Sequence, residues 1–571
     1  MAQRIQIALR PAVSAAACFL RGARPRLNLP SSPSPSPWRG DSGSSLGGFG
    51  GIFWATLTSL SRRAPRANRP GLRSDPGPLG FRRTLSLCLL LSSMHMFPST
   101  TASSLSSLAS TCLPHRGFSF ESFNTCSRRS FSSLSSPPLD VESSSQSDPA
   151  AKDKMGSLPT VPPFKVFIAG TSYAGMSTAL NLLDLSKGES PRLAHSPYEH
   201  HADFKNIPLD ITIADERDGF FHLIGSPLAF ADSAYAAKSW VKFQDIPSLQ
   251  RPNVRFVQGS VSKVDPATKT ATVLDHETKQ PQDFSYDFFI GATGLRRAFP
   301  VVPQSLTRKQ FLLEAEEQIH AVRNAPDGVI VVGGGAVGIE MAAELKLVEP
   351  STKVTLVHSR NQLLSSEGLS DLCKDKALEL TKEAGVEVLL NTRVKETRKI
   401  EPTANGRARY EVEFTNGDKL IASEVVMAIS RQTPSTDFVP AAAKDEEGYV
   451  PIHPNLVFSS DIPNAEDHIA VGDIAKWPGI KRCGTAMHHG HVAAINIHQL
   501  MLVKLTNKEH KPKFYELGFV EPMIGLAVGK KAVASSSEGT TWGEDVMHSY
   551  FRDDLGFTIC WNHMKLGKAD N

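Results

Sequence analysis

The sequence predicts a doubly wound α/β protein with two parallel sheets, and three observations predict it. The first is Val329 to Leu345, VIVVGGGAVGIEMAAEL, where four β-branched apolar residues run into a glycine turn and then an alanine-rich helix. Such an apolar run suits a strand buried on both faces. The second is KVFIAGTSYAGMSTALNLL, Lys165 to Leu183, which repeats strand, turn and helix. The third is how the next strand ends after each helix: DITIAD closes at Asp215, and KVTLVHSR reaches His358.

Gly333, Gly335 and Gly338 fill all three positions of G-x-G-x-x-G. The first glycine makes the tight turn, the second admits a pyrophosphate, and the third lets the helix pack close to the strand, so that phosphates sit on the helix N-terminus. In the upstream copy Gly170 and Gly175 hold the outer positions, Ser172 replaces the middle glycine, and Ala174 completes the loop. A structural turn is the bland reading of one such motif. Two copies in one chain imply two nucleotides face to face, FAD on the first loop and NAD(P)H on the second. Asp215 stands where an acid meets the ribose hydroxyls, so it is the expected FAD ribose ligand. At the matching place His358, followed by Ser359 and Arg360, lacks the acid that repels a 2′-phosphate and adds a cation, so NADPH is expected to be tolerated.

The chain has 571 residues, room for about three domains and a tail. Residues 1–150 carry sixteen arginines, no lysine and six acids, a balance of +10, whereas the remainder has 46 basic and 52 acidic residues, a balance of −6. A mildly acidic folded region makes nucleic-acid binding by charge an unfavoured reading. The seven cysteines, at 18, 88, 112, 126, 373, 483 and 560, show no close pairing. That spacing argues against a zinc ribbon, a secreted disulfide framework and a redox-active dithiol, and for an intracellular protein. No apolar run is long enough to span a membrane.

Residues 1–157 are rich in Ser, Pro, Arg and Gly and are expected to be a disordered leader or a mitochondrial transit segment. Met155-Gly156-Ser157-Leu158-Pro159-Thr160 fits an N-myristoylation pattern if translation starts at Met155. Mitochondrion and cytoplasm, peripheral to a membrane, both follow from these alternatives. The helix after Gly170 should end at Lys187-Gly188, before a polar insertion with His195, His200, His201 and Asp203, for which a surface loop is expected and a metal site is not. Val261, in a strand from Arg255 to Val264, is placed among the FAD contacts with Ala292-Thr293-Gly294, which ends another apolar strand. Thr307 and Gln310 form a capping box for a helix that presents Phe311, Leu312, Ala315, Ile319 and Val322 on one face. The A-T-G turn is not repeated in the second unit, which closes with Ala428-Ile429-Ser430-Arg431.

HIAVGDIA, His468 to Ala475, delivers Gly472 and Asp473 to a loop where a carboxylate can bond the ribityl chain. A helix from Ala486 to Leu505 is expected to face the flavin with its positive N-terminus, with His488, His489 and His491 on its first turn. Phe557, Ile559 and Trp561 close the chain as core, dimer face or membrane patch.

From about Lys165 onward the chain resembles the FAD-dependent pyridine nucleotide oxidoreductases of the apoptosis-inducing-factor-like group. VGGGAVGIEMAAEL, TLVHS, DGFFH, IGATG and AVGDIA carry the resemblance. It implies Rossmann-like domains, with FAD-binding segments at 158–303 and 438–508, an inserted NAD(P)-binding domain at 304–437, and a small α+β C-terminal domain at 509–571. It also implies hydride transfer from NAD(P)H to FAD and electron passage to a quinone-like acceptor. Glu340 matches a family glutamate near the nicotinamide; its bland role is a first-turn acid favoured by the helix dipole. The family's disulfide reductases need a C-x-x-C or C-x4-C pair, absent here, so electrons must leave to an external acceptor. A redox-controlled signalling flavoprotein and a reductase of a protein acceptor are the alternatives.

Overall fold

The computed structural model describes residues 162–429 and 432–569. The leader, the Met155 acylation pattern, Ser430 and Arg431 lie outside the described residues.

Strand β1 (Phe164–Ala169) is central to a seven-stranded sheet. Val166 and Ile168 point into one apolar layer and Phe167 and Ala169 into the other, as the two-residue period of a strand requires. Helix α1 (Tyr173–Ser186) follows, then β2 (Leu209–Asp215), β3 (Val254–Asp265), β4 (Thr270–Asp275), β5 (Pro281–Ser285) and β6 (Phe288–Gly291). The chain next builds α2 (Arg308–Arg323), β7 (Val329–Val332), α3 (Ala336–Val348), β8 (Val354–Val357), β9 (Glu387–Leu389) and β10 (Glu424–Met427). Only then does β11 (His468–Ala470) pair with β6. A second sheet is therefore inserted between two adjacent strands of the first.

The first sheet has the order β11-β6-β1-β2-β3-β4-β5. It is parallel from β11 to β3 and antiparallel beyond. The second sheet, β9-β8-β7-β10, is parallel throughout. Val329 and Val331 pack with Ile339 and Ala342 of α3, while Ile330 and Val332 pack with Val412 and Phe414 of an antiparallel meander on the other face. Thr307 caps α2 by accepting from the Gln310 amide at 3.3 Å. Phe311, Ala315, Ile319 and Val322 are buried, and Leu312 is half-buried.

Helix α4 (Cys483–Leu505) starts three residues before the expected Ala486. The histidines therefore leave the first turn, and Cys483, Gly484 and Thr485 occupy it. Then come β12 (Ile524–Val528), β13 (Lys531–Ser536), β14 (Gly539–Gly543), α5 (Glu544–Tyr550) and α6 (Phe557–His563). In α6 Phe557 and Trp561, one turn apart, stack at 5.7 Å.

Helices α1 and α4 cross without room between them. A Cβ on Gly490 would lie 2.4 Å from the Ala174 carbonyl oxygen, and Ser177 Oγ donates to the Met487 carbonyl at 2.7 Å. Alanine for glycine normally favours a helix by about 1 kcal/mol. At this crossing Gly490→Ala is expected to destabilise by about 1–3 kcal/mol. Denaturant unfolding checks the sign, and a gain in stability would show that the crossing can open.

Candidate functional site

The two glycine loops are built alike. Gly170 has φ +92°, and a Cβ on Gly175 would come 2.0 Å from the Gly170 carbonyl oxygen. Gly333 has φ +126°, and a Cβ on Gly338 would come 1.8 Å from the Gly333 oxygen. At both loops the first glycine supplies a backbone conformation that L side chains rarely adopt, and the third seats the helix on the loop. The middle positions differ. A Cβ on Gly335 would meet nothing within 4 Å, whereas Ser172 is exposed at the N-cap of α1.

Asp215 ends β2 with its carboxylate at the first loop, accepting from the Thr171 amide at 2.6 Å and the Arg217 amide at 2.9 Å. Burial raises its pKa against the pull of these donors and of the Arg217 charge. Thr171 Oγ1, on the same loop, is buried without a protein partner. Ala292 closes over the loop: its amide donates to the Ala169 carbonyl at 2.7 Å, and a Cβ on Gly170 would lie 2.7 Å from its oxygen. Thr293 Oγ1 donates to the Ser435 carbonyl at 2.6 Å, and Gly294, at φ +69°, opens onto free space. Val261 is half-buried in β3, three residues past Gln258, the register partner of Asp215. Glu216, which the motif reading passed over, takes Arg296 in a two-pronged ion pair at 2.6 Å and accepts from Ser260 at 2.7 Å.

Gly472 and Asp473 reach the same end of the sheet through β11. Gly472 has φ +68°, and its amide donates to His489 Nδ1 at 3.2 Å. Burial drives the His489 pKa down to about 3, so the ring is neutral and shapes the loop from the second turn of α4. Burial raises the Asp473 carboxyl, opposed by the charges of Lys481 and Arg297.

At the second loop His358 follows β8 and its Nδ1 accepts from the Gly334 amide at 3.1 Å, while Nε2 meets Ser365 Oγ at 3.0 Å. Burial, then the Arg360 charge, lowers its pKa. His358 is therefore a neutral tether of the glycine loop, and the cation expected at this place is Arg360 alone. Glu340 corrects a second expectation. It is the fifth residue of α3, outside the first turn, and it points into the C-terminal sheet, accepting from the Ala527 amide at 3.4 Å. Burial raises its pKa to about 8. Glu344, one turn on, is 1% exposed with Oε1 unpartnered, and burial raises it to about 8 despite the Gly529 amide. Only the tertiary packing of α3 on β12 reveals this pair of neutral carboxyls.

His222 of the DGFFH motif joins the first loop to the C-terminal segment. Its Nδ1 meets the Tyr173 hydroxyl at 3.2 Å, and its Nε2 donates to the Leu555 carbonyl at 3.0 Å. Burial lowers its pKa to about 4, in keeping with a neutral ring. Cys373, Cys483 and Cys560 are free, and Cys560 lies in the apolar cluster against which Cys483 packs. In the polar insertion, His200 packs on His498 at 5.6 Å and His201 on His510 at 5.7 Å. No group of three His, Cys, Asp or Glu among the described residues could hold a metal ion. Likewise no helix among them is long and apolar enough to cross a membrane.

Two dinucleotide loops on parallel sheets, with an acid at one ribose position and a histidine at the other, define a two-nucleotide oxidoreductase. The comparisons agree. The pyridine nucleotide-disulphide oxidoreductase family model matches residues 164–490, and the chain belongs to that family. It binds FAD and NAD(P)H; the buried, unpartnered Thr171 Oγ1 and the open space at Gly335 fit such ligands. Oxidoreductase OXR1 of Ajellomyces capsulatus is 45% identical over 426 residues, covering 74% of this chain and 92% of that protein. Ferroptosis suppressor protein 1 of Mus musculus is 25% identical over 362 residues, covering 63% and 90%. The sulfide:quinone oxidoreductase of Aquifex aeolicus shares the fold, with a TM-score of 0.51 at 17% identity over 72% of this chain and 93% of its own.

Gly338→Ala, Gly335→Ala and Glu344→Gln test the loops and the carboxyls. Gly338→Ala is expected to lower the melting temperature, because its Cβ meets backbone. Gly335→Ala should keep the fold and weaken NADH at least about 10-fold, because its Cβ enters the space a pyrophosphate needs. Calorimetry and equilibrium titration separate the two effects. For Glu344 the folded pKa of about 8 lies above the ordinary 4.5, so the folded state holds the proton that the unfolded state releases. Stability must fall as pH rises from about 4.5 to about 8. Glu344→Gln is expected to be more stable than the parent at pH 8 by at least about 1 kcal/mol. The difference should close toward pH 5, as urea unfolding at both pH values would show.

Proposed function

We propose that this enzyme takes electrons from NAD(P)H and delivers them to a quinone-like small molecule. FAD supplies the hydride-accepting and electron-releasing chemistry when bound. The chain's own residues bind and orient. The Gly333 loop and α3 receive the nicotinamide nucleotide, the Gly170 loop with Asp215 receives the flavin nucleotide, and Asp473 with the start of α4 borders the ring system. Ala292, Thr293, Gly294 and Val261 complete the flavin side, and His358 sets the shape of the nicotinamide loop. With no acid after β8, we infer that NADPH is accepted beside NADH.

One observation carries the acceptor reading. Phe519 and Val520 are exposed, Phe519 at 72%, and the Val520 oxygen lies 3.8 Å from a Cβ on Gly479, so exposed apolar side chains border the loop that follows Asp473. A planar apolar acceptor gains most from such a surface. The shared fold with a sulfide:quinone oxidoreductase supports the same class. The compartment, mitochondrion or cytoplasm at a membrane surface, rests on the leader alone.

Anaerobic titration of the holoenzyme with NADH and with NADPH, followed by a soluble ubiquinone analogue, is the test. Both nucleotides are expected to bleach the flavin absorbance, and the quinone to restore it. Phe519→Glu should raise the KM for quinone about 10-fold or more, a loss of about 1.4 kcal/mol of binding, and leave bleaching by NADH unchanged. Flavin that bleaches but is not reoxidised by quinone would refute the acceptor while sparing the dehydrogenase half.

A further inference from the structure

We propose that Tyr173 and His222 are positioning residues for the flavin nucleotide, and that through them the C-terminal turn Asp554-Leu555 belongs to the FAD site. The inference rests on the reading that FAD occupies the Gly170 loop, and it extends that site to a carbonyl 333 positions beyond His222. Tyr173 is the first residue of α1, between Ser172 and Ala174 of the loop. Its side chain is 5% exposed and meets Phe220 edge-on at 5.5 Å and the His222 ring edge-on at 6.1 Å.

The hydrogens of this relay follow from what each partner can do. The Leu555 carbonyl only accepts, so His222 Nε2 carries the hydrogen of their 3.0 Å bond. In a neutral ring Nδ1 is then bare, and the Tyr173 hydroxyl donates to it across 3.2 Å. A lone pair of the same hydroxyl takes the Ile224 amide at 3.4 Å. Every polar atom of both side chains is therefore used, which fixes one orientation of Tyr173 and commits its hydrogen to His222 rather than to the flavin.

The far end of the relay is a turn that needs outside support. Leu555 has φ +47° and is buried, and a leucine persists in the left-handed region only where its surroundings over-determine it. Here they do. Besides the His222 bond, Tyr235 Oη donates to the Asp554 carbonyl at 2.8 Å, Lys238 pairs with the Asp554 carboxylate at 2.7 Å, and the Thr558 amide donates to that carboxylate at 3.3 Å. The His222 ring also meets Phe557 edge-on at 5.4 Å. Gly225 makes room for the two side chains that grip the turn: a Cβ there would lie 2.1 Å from Tyr235 Oη and 2.9 Å from His222 Cδ2. A strained turn bonded to the ring that orients Tyr173 joins the two ends into one unit. FAD that orders the glycine loop then orders the turn, and by linkage a loosened turn lowers FAD affinity by the same factor.

The test is hydrogen–deuterium exchange of the full chain with FAD bound and after its removal, read at peptides covering residues 551–563, together with the FAD dissociation constant from flavin fluorescence. Peptides from the helix Asp371–Glu383 in the other unit serve as the internal reference. In the wild type, FAD should slow exchange at 551–563 about 5-fold or more relative to that helix. Tyr173→Phe keeps the ring, removes the donated hydrogen and leaves His222 Nδ1 buried and unpaired; it should weaken FAD about 5-fold or more and abolish the FAD-dependent slowing. Tyr235→Phe, which loosens the turn without touching the glycine loop, should also weaken FAD. A purely local role for Tyr173 would leave FAD binding by Tyr235→Phe unchanged, and that result would overturn the proposal. So would FAD that binds the wild type without slowing exchange at 551–563, although the flavin reading would then stand. A wild type that binds no FAD would overturn both. The wild-type comparison decides even if a variant fails to fold.

Discussion

Both nucleotide sites depend on one steric constraint: a helix start pressed onto the carbonyl of its own glycine turn. At Gly175 and Gly338 a Cβ would sit 2.0 and 1.8 Å from the oxygen of Gly170 and Gly333. That approach aims the first amides of α1 and α3 at the ends of their sheets, where unpaired N–H groups attract phosphate. Gly490 applies the same constraint a second time, letting α4 lie against α1. Beside that crossing the Gly472 loop comes against α1, a Cβ on Gly472 lying 3.1 Å from the Ala174 side chain.

Burial decides the electrostatics around these loops. His222, His358 and His489 are each pushed toward the neutral form, and His358 and His489 accept from a glycine-loop amide through Nδ1. Neutral rings suit this duty, because an imidazolium has no lone pair to accept with. Glu340 and Glu344 are raised for the same reason. They link α3 to the C-terminal sheet as neutral groups, so that interface is sensitive to alkaline pH.

Strong local motifs were legible because their physics is local. The glycine spacing and Thr307 with the Gln310 amide concern residues within one or two turns of each other, and Asp215 is marked by the apolar strand it ends. The α4 boundary was less legible. Arg482, at the N-cap, makes no side-chain capping bond, so no Ser, Thr, Asp or Asn signal marked the start. Without it, the histidines were assigned to a turn that Cys483 occupies.

The sequence by itself determined the class: two apolar strands running into glycine turns specify two nucleotides on an α/β fold, and the resemblance to a flavoprotein oxidoreductase family added the insertion of one unit in the other. Their signals are short-range periodicities and spacings. The tertiary structure alone decided which distant groups share an environment. His222 met Leu555, and Glu344 lost its solvent beneath the last sheet. The physical reason is that proton affinity and carboxyl burial depend on through-space distance and desolvation, which residue order does not encode.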